Sequence, residues 1–456
     1  MRKLLKGGTV INARETLEVD VLICGETIEA IGTDLVCEDA EVIDVTGKLL
    51  FPGFIDAHTH FDLDVCNTTT ADDFYTGGRS ALRGGTTMVI DFACPNKGES
   101  LQYGLELWHK KAEGKTSCDY GFHMTIDDWN PEIIEELPKM FEEGISSFKM
   151  YMTYPAMMIG DEAMYKALRK MKELGGIVGV HCENAGVIDA LIAEKKAAGE
   201  LSPASHPQCR PAILEAEAIS RLLKMAELAD VPVVIVHLSS AEGLREVEAA
   251  RSRGQKVYVE TCPHYLLLQD DLYSLPEFEG AKYVCAPPLR KDEDNDALWE
   301  ALENGAVQTI ATDHCSFTLA QKDAGREDFT KIPGGMPGVE TRGVLLYTYG
   351  VLTERISAQR MAELLSEAPA KLYGVYPRKG HIAVGADADI VVYDPEGIRR
   401  ISAKDQVCAA DYAPYEGYEL SGHISQVWLR GTLAVKEGEI LVEKQGKYIP
   451  RRKCCL

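Results

Sequence analysis

The residues best suited to chemistry begin with two histidines one pleat apart, in Phe54-Ile55-Asp56-Ala57-His58-Thr59-His60. Along an extended strand alternate side chains share a face, so both imidazoles can grip one divalent cation. Alone, such a pair is as easily two polar residues on a half-exposed strand. Its weight comes from residues further along the chain: Lys149 in Ser147-Phe148-Lys149-Met150-Tyr151, His181 after Val180, His237 after Val233-Val234-Ile235-Val236, and Asp313 in Ala311-Thr312-Asp313-His314. Each has a plain structural explanation when taken singly: a satisfied core histidine, a snorkelling lysine, an aspartate capping the next helix. Together, four imidazoles and a carboxylate form a donor set suited to zinc, with about three protein ligands per ion and an open position for water.

Lys149 needs a separate argument. An ammonium beside two divalent cations is repelled, and burial alone lowers its pKa. A neutral amine can add carbon dioxide, and the resulting carbamate is an anionic oxygen ligand able to bridge two metals. Carboxylation of Lys149 is therefore expected from charge, not from any motif.

Elements must bring these residues together. Eight apolar, β-branched runs are present: Phe54–His60, Thr86–Asp91, Asp119–Thr125, Ile145–Tyr151, Ile177–Cys182, Val231–Leu238, Lys256–Thr261 and Val307–Asp313. Segments of helical period fall between them, among them Pro131–Glu143, Asp161–Leu174, Pro211–Ala229 and Ala241–Gly254. Near-continuous apolar strands alternating with amphipathic helices imply parallel pairing with both faces covered. Eight such units predict an α/β fold, a closed (β/α)8 TIM barrel over residues 54–373, with a further helical region at Glu340–Tyr373. Chemistry in that architecture sits at the C-terminal ends of the strands, where the candidate ligands fall.

Strand-and-turn texture at residues 1–53 and 374–456 predicts a small β-sandwich built from both chain termini. Its expected strands are Leu4–Ala13, Asp20–Ile31, Glu41–Leu50, Ile382–Val384, Asp389–Tyr393, His423–Arg430 and Thr432–Val442, with Gly7-Gly8, Gly25 and Gly47 as breaks. The last residues, Lys453-Cys454-Cys455-Leu456, read as a frayed end.

At 456 residues the chain suits one large domain with a smaller one. A net charge of −23 argues against nucleic acid or anionic lipid as partner. No run approaches the roughly 20 apolar residues of a membrane span, and the start lacks a signal peptide's apolar stretch, so a cytoplasmic protein is expected. Thirteen cysteines, scattered and odd in number, fit a reducing compartment.

The run Pro52-Gly53-Phe54-Ile55-Asp56-Ala57-His58-Thr59-His60, with Ser147-Phe148-Lys149, His181, His237 and Ala311-Thr312-Asp313-His314-Cys315, resembles the cyclic-amide branch of the amidohydrolase superfamily, in particular D-hydantoinases (phenylhydantoinases) and dihydropyrimidinases. Thr70-Ala71-Asp72-Asp73-Phe74, Glu260-Thr261-Cys262-Pro263, Pro287-Pro288-Leu289-Arg290, Pro337-Gly338-Val339-Glu340 and Gly385-Ala386-Asp387-Ala388-Asp389 extend the likeness over nearly the whole chain.

The resemblance implies a homotetrameric hydrolase that opens small cyclic ureides and amides. It places His58, His60 and Asp313 on one zinc ion, His181 and His237 on another, and carboxylated Lys149 between them. Tyr154 matches a substrate-facing tyrosine, and Asp313 would shuttle the proton. Two further substrate contacts fall on Ala286, where a serine is common, and Gly334, where asparagine is usual. Leu63, Val65, Met152 and Met158 are candidates to face the ring substituent, and simple loop packing accounts for them as readily.

Phe61-Asp62-Leu63-Asp64 after the histidines would repel a substrate carboxylate, which sets dihydroorotases aside. An allantoinase-like hydrolase, a non-catalytic scaffold of the same fold and a single-metal deaminase are the alternatives. Filled ligand positions disfavour the scaffold, and Lys149 would have no role in the deaminase.

Overall fold

Eight parallel strands surround the barrel axis in sequence order: β1 (Phe54–Thr59), β2 (Thr86–Ala93), β3 (Asp119–Thr125), β4 (Ser147–Tyr151), β5 (Ile177–His181), β6 (Val233–Ile235), β7 (Val257–Thr261) and β8 (Thr309–Ile310). The computed structural model describes residues 2–455. All residues of β1 to β4 are buried, as strands covered on both faces require. The ring is closed between β8 and β1 by a parallel bridge from Thr59 to His314. There His60 N–H donates to His314 O at 2.9 Å and His314 N–H to His58 O at 3.3 Å. Fully buried Arg342 supports the seam, donating to Ile55 O at 3.0 Å and Ile310 O at 2.7 Å.

The helices follow their sequence signals closely. Asp161–Leu174 ends at Gly175, whose φ of 72° is the left-handed cap that glycine adopts without penalty. Pro131–Glu142 starts on an Asn130 cap that accepts from Ile133 N–H at 3.1 Å. The two runs carrying His237 and Asp313 differ from expectation, because only Val233–Ile235 and Thr309–Ile310 stay in the ladder. Beyond them the backbone turns to positive φ, 40° at His237 and 50° at Asp313. An apolar pattern shows which residues are buried, and is silent on where ladder bonding stops.

Both termini contribute to one nine-stranded sheet in which Leu49–Pro52 lies between Ile390–Arg400 and Arg2–Ile11. The far edge strand, Thr27–Gly32, curls back, with Ile28 N–H donating to Ala386 O at 3.0 Å and Ala388 N–H to Glu26 O at 2.8 Å. Leu5, Val21, Ile28, Leu50, Ile390 and Trp428 fill the space enclosed. The run Asp20–Ile31 is a hairpin turning at Gly25, with strands Thr16–Cys24 and Thr27–Gly32. Gly7-Gly8 is no break: the strand continues through a bulge there, with Gly7 at φ 78°. Ile382 is buried outside any strand, its N–H held by Asn12 Oδ1 at 2.8 Å.

The C-terminal residues are docked rather than frayed. Tyr120 N–H donates to Lys447 O at 3.0 Å, Arg452 N–H to Gly374 O at 2.9 Å, and Cys455 N–H to Lys371 O at 3.0 Å. Buried Arg451 donates to Ser147 Oγ at 2.7 Å and to Phe122 O, at the N-terminal end of β4 and on β3. Backbone groups at open strand starts recruit the tail, a long-range pairing that local sequence does not reveal.

Terminal sheet and barrel are also joined by charge. Lys379 Nζ lies 2.7 Å from Asp119, 3.0 Å from Asp387 and 2.6 Å from Asp389, and Arg430 also pairs with Asp119. All of these side chains are buried. Those carboxylates could geometrically hold a cation, but Lys379 already fills that place. Lys379→Met strands buried negative charge and is expected to cost about 3–5 kcal/mol. Thermal unfolding of the variant beside the parent checks this, and an unchanged midpoint would count against it.

Candidate metal centre

The ladder and its closure bring the chemical residues to one rim. His58 and His60 leave β1 on the same side, their ring centroids 5.2 Å apart. Across the seam, Asp313 Oδ1 lies 3.2 Å from His58 Nε2 and 3.1 Å from His60 Nε2. These three form a candidate metal-holding group. At the end of β5 and just beyond β6, His181 Nδ1 and His237 Nε2 face each other at 3.0 Å. Zinc–nitrogen bonds of about 2.0–2.1 Å in a tetrahedron separate neighbouring donors by about 3.3 Å, so both spacings suit ligands around an ion. The His58 and His237 rings, 5.3 Å apart, link the two groups.

Lys149 sits in β4 with its ammonium 5.0 Å from the ring centroids of both Phe92 and Tyr151. Its side chain is 1% exposed. Burial pulls its pKa down to about 8, partly opposed by attraction to Asp313 and Glu260. Burial first, then the Lys149 charge, holds His58 and His237 well below the usual histidine value. Both are neutral imidazoles, the form that ligates metal. His58 Nε2, His60 Nδ1 and His237 Nδ1 are buried without a hydrogen-bond partner among the described residues. Of these, His58 Nε2 is the one aimed at Asp313; unsatisfied buried nitrogen is costly, and a cation is a natural occupant there.

Other residues support the candidate ligands. Glu260, at the end of β7, lies 2.6 Å from His58 Nδ1, and a proton there leaves Nε2 free to face Asp313. Burial raises the Glu260 carboxyl to about 8. Glu183 does the same for His181 at 2.7 Å and is paired with Arg210 at 2.5 Å. Asp56 accepts from Thr312 N–H at 3.1 Å and Thr312 Oγ1 at 2.7 Å, which locks the strand-eight turn carrying Asp313. The sequence expectations give none of these three a role. Glu183 is within reach of sequence reasoning, because it stands two residues beyond His181, the same spacing as His58 and His60. The Glu260 contact spans 202 positions and has no local signal.

Tyr154 has a left-handed backbone, φ 68°, and its ring centroid is 5.2 Å from that of His181. Its hydroxyl has no hydrogen-bond partner among the described residues, and burial pushes its pKa far up. Three site residues, Tyr154, His237 and Asp313, thus hold positive φ without being glycine. That local strain is typical of side chains aimed by the fold at a reaction centre.

Ala286 and Gly334 are both half-buried, in facing loops tied together by Gly335 N–H donating to Val284 O at 2.9 Å. Leu63 and Met152 are buried in the main core, and Val65 packs against it. Met158 is 36% exposed, and with Met152 it borders a side cleft of about 410 Å³. His314 turns away from Asp313: its Nδ1 accepts from Gly338 and Val339 N–H, and its Nε2 lies 3.0 Å from Asp72.

A barrel with this rim defines a class of hydrolase fold, and comparison with known proteins agrees. A profile described as Amidohydrolase family matches residues 49–434, and the chain belongs to that family. Over 457 aligned residues it is 44% identical to the D-hydantoinase of Geobacillus stearothermophilus, spanning 99% of this chain and 97% of that one. The crystal structure of dihydropyrimidinase from Brevibacillus agri NCHU1002 matches with a TM-score of 0.99 at 44% identity, over 100% of both chains. L-Hydantoinase (dihydropyrimidinase) from Arthrobacter aurescens matches at 0.90 and 30% identity, over 99% of this chain and 100% of that one.

Proposed function

We propose that this chain is a metal-dependent cyclic amidohydrolase that opens 5-substituted hydantoins, dihydropyrimidines or both to N-carbamoyl amino acids. The observation that carries it is the convergence of His58 and His60 Nε2 on one Asp313 oxygen beside the facing His181 and His237 nitrogens. The donor set fits two divalent ions, zinc by its nitrogen and oxygen chemistry. His58, His60 and Asp313 would hold one, His181 and His237 the other, and Lys149 as its carbamate would serve both. Bound there, such a pair supplies hydroxide near neutral pH and polarises the ring carbonyl.

The remaining work falls to the chain. Asp313 accepts the proton of the attacking water and hands it to the departing ring nitrogen, which becomes the terminal NH2 of the carbamoyl group. The Tyr154 hydroxyl, kept protonated by burial, donates to the carbonyl oxygen as negative charge develops on it. Ala286 and Gly334 hold the ring through backbone groups, for which neither position needs a side chain. Leu63, Val65, Met152 and Met158 surround the ring substituent.

In this reading residues 1–53 and 374–456 form a terminal domain and residues 54–373 the barrel, and the enzyme is a cytoplasmic homotetramer. Among the described residues no helix is long and apolar enough to cross a membrane. Exposed Ile213, Leu228 and Ile398 offer apolar surface for assembly.

Dihydrouracil, both enantiomers of 5-phenylhydantoin, and allantoin offered side by side test the activity. Turnover of a hydantoin or dihydrouracil is expected, lost on chelation and regained with zinc. Turnover of allantoin alone would favour the allantoinase alternative. Inactivity on every ring with metal bound would overturn the proposal, and failure to retain metal would favour the scaffold.

A further inference from the structure

Lys322 ends a short helical turn, Leu319–Lys322, in the loop after β8, and it is 1% exposed. Its ammonium faces no carboxylate. It donates instead to three main-chain oxygens: Val284 at 3.0 Å, Pro333 at 2.8 Å and Gly335 at 2.8 Å. A buried ammonium has three donors, and here all are spent on backbone. The acceptors belong to two loops distant in sequence, one on each side of the lysine.

Most carbonyls of those loops are already paired, as buried backbone requires. Val284 O accepts from Lys322 and Gly335 N–H, Cys285 O is 2.7 Å from His206 Nε2, and Pro287 O accepts from Tyr265 OH at 2.6 Å. Pro333 O and Gly335 O are taken by Lys322, and Met336 O accepts from Cys315 N–H at 3.2 Å. Across 284–287 and 333–336, only the carbonyls of Ala286 and Gly334 have no partner among the described residues, and the N–H groups of these two are likewise unpaired. Each lies within two residues of a carbonyl that Lys322 holds. Gln321, one residue earlier, donates to Thr68 Oγ1 at 2.9 Å and Thr69 O at 2.7 Å, so the same turn also anchors the hairpin beyond β1.

We propose that Lys322 is a positioning residue that sets the distance between the free main-chain groups of Ala286 and Gly334, and thereby the ring size and KM of the site. This rests on the function proposed for those two positions. Side-chain contacts are missing at both, so ring selection depends on where the backbones stand. An ammonium tripod fixes that more firmly than a neutral donor, since charged hydrogen bonds are shorter and stronger.

Lys322→Met keeps the stem and removes the donors. Lys322→Arg keeps the charge but replaces the tripod with a planar fork. For Lys322→Met, KM is expected to rise about tenfold or more with kcat within about threefold, and metal content unchanged. The ratio of kcat/KM between a five-membered hydantoin and six-membered dihydrouracil should shift by about fivefold or more in either variant. Amide hydrogen exchange over 283–289 and 333–339 should accelerate while β1 to β5 stay protected. If Lys322→Met is insoluble, Lys322→Arg decides through the same ratio and exchange.

A folded variant with unchanged KM, ring ratio and loop exchange overturns the proposal. So does uniform loss of stability with KM unchanged, which marks a merely structural lysine. Should the parent protein turn over no ring at all, the assigned activity falls, and loop exchange still decides whether Lys322 is the clamp.

Discussion

Lys149→Ala is expected to lower kcat/KM by at least about 10⁴-fold and to remove metal from the centre. Two divalent cations in one site repel with four times the energy of a unit pair at the same separation, so an anion between them is required. The carbamate proposed on Lys149 would supply it, and alanine leaves no ligand atom there. The lysine is buried with its pKa held at about 8, so a neutral amine able to add carbon dioxide is within reach at moderate pH. Growth with labelled bicarbonate should give a carbamate carbon resonance in the parent and none in the variant. Elemental analysis of both proteins reads the metal. A variant with full metal and full turnover would remove the bridge from the mechanism.

Asp313→Asn separates binding from proton transfer. Asparagine tolerates the left-handed backbone that Asp313 adopts at φ 50°, so the fold should survive with an unchanged melting temperature. Its amide oxygen would remain a weak ligand beside His58 and His60 Nε2, while the carboxylate proposed to accept the proton is gone. We expect kcat to fall by about 10²–10⁴-fold, measured per bound metal so that ligand loss is not mistaken for lost catalysis. A decline of less than about threefold at equal metal would show that another group moves the proton.

The barrel was legible because its signal is local. Eight apolar runs, each the length of a strand and each followed by a helical stretch, admit few arrangements, and period two alone puts His58 and His60 on one side. Helix limits at Asp161–Leu174 match the sequence because a glycine stands at each end. Less was legible where partners lie far apart. The end of the β6 ladder before His237, the docking of Arg451 below β3 and β4, and the curl of the terminal sheet all depend on hydrogen bonds made after the chain has closed.

By itself the sequence determined which residues could ligate, that strands would carry them, and that a chain with this acidity and these motifs is a hydrolase of small rings. Tertiary structure alone decided how they face one another: Asp313 meets the histidines only because β8 seals against β1 at His314. It also decided which carboxylates steady the ligands, and that the ammonium of Lys322 holds two distant loops in place. The reason is range, since side-chain type and spacing are encoded within a few residues, whereas closure, burial and the lowered protonation of His58 and His237 arise from neighbours far away along the chain.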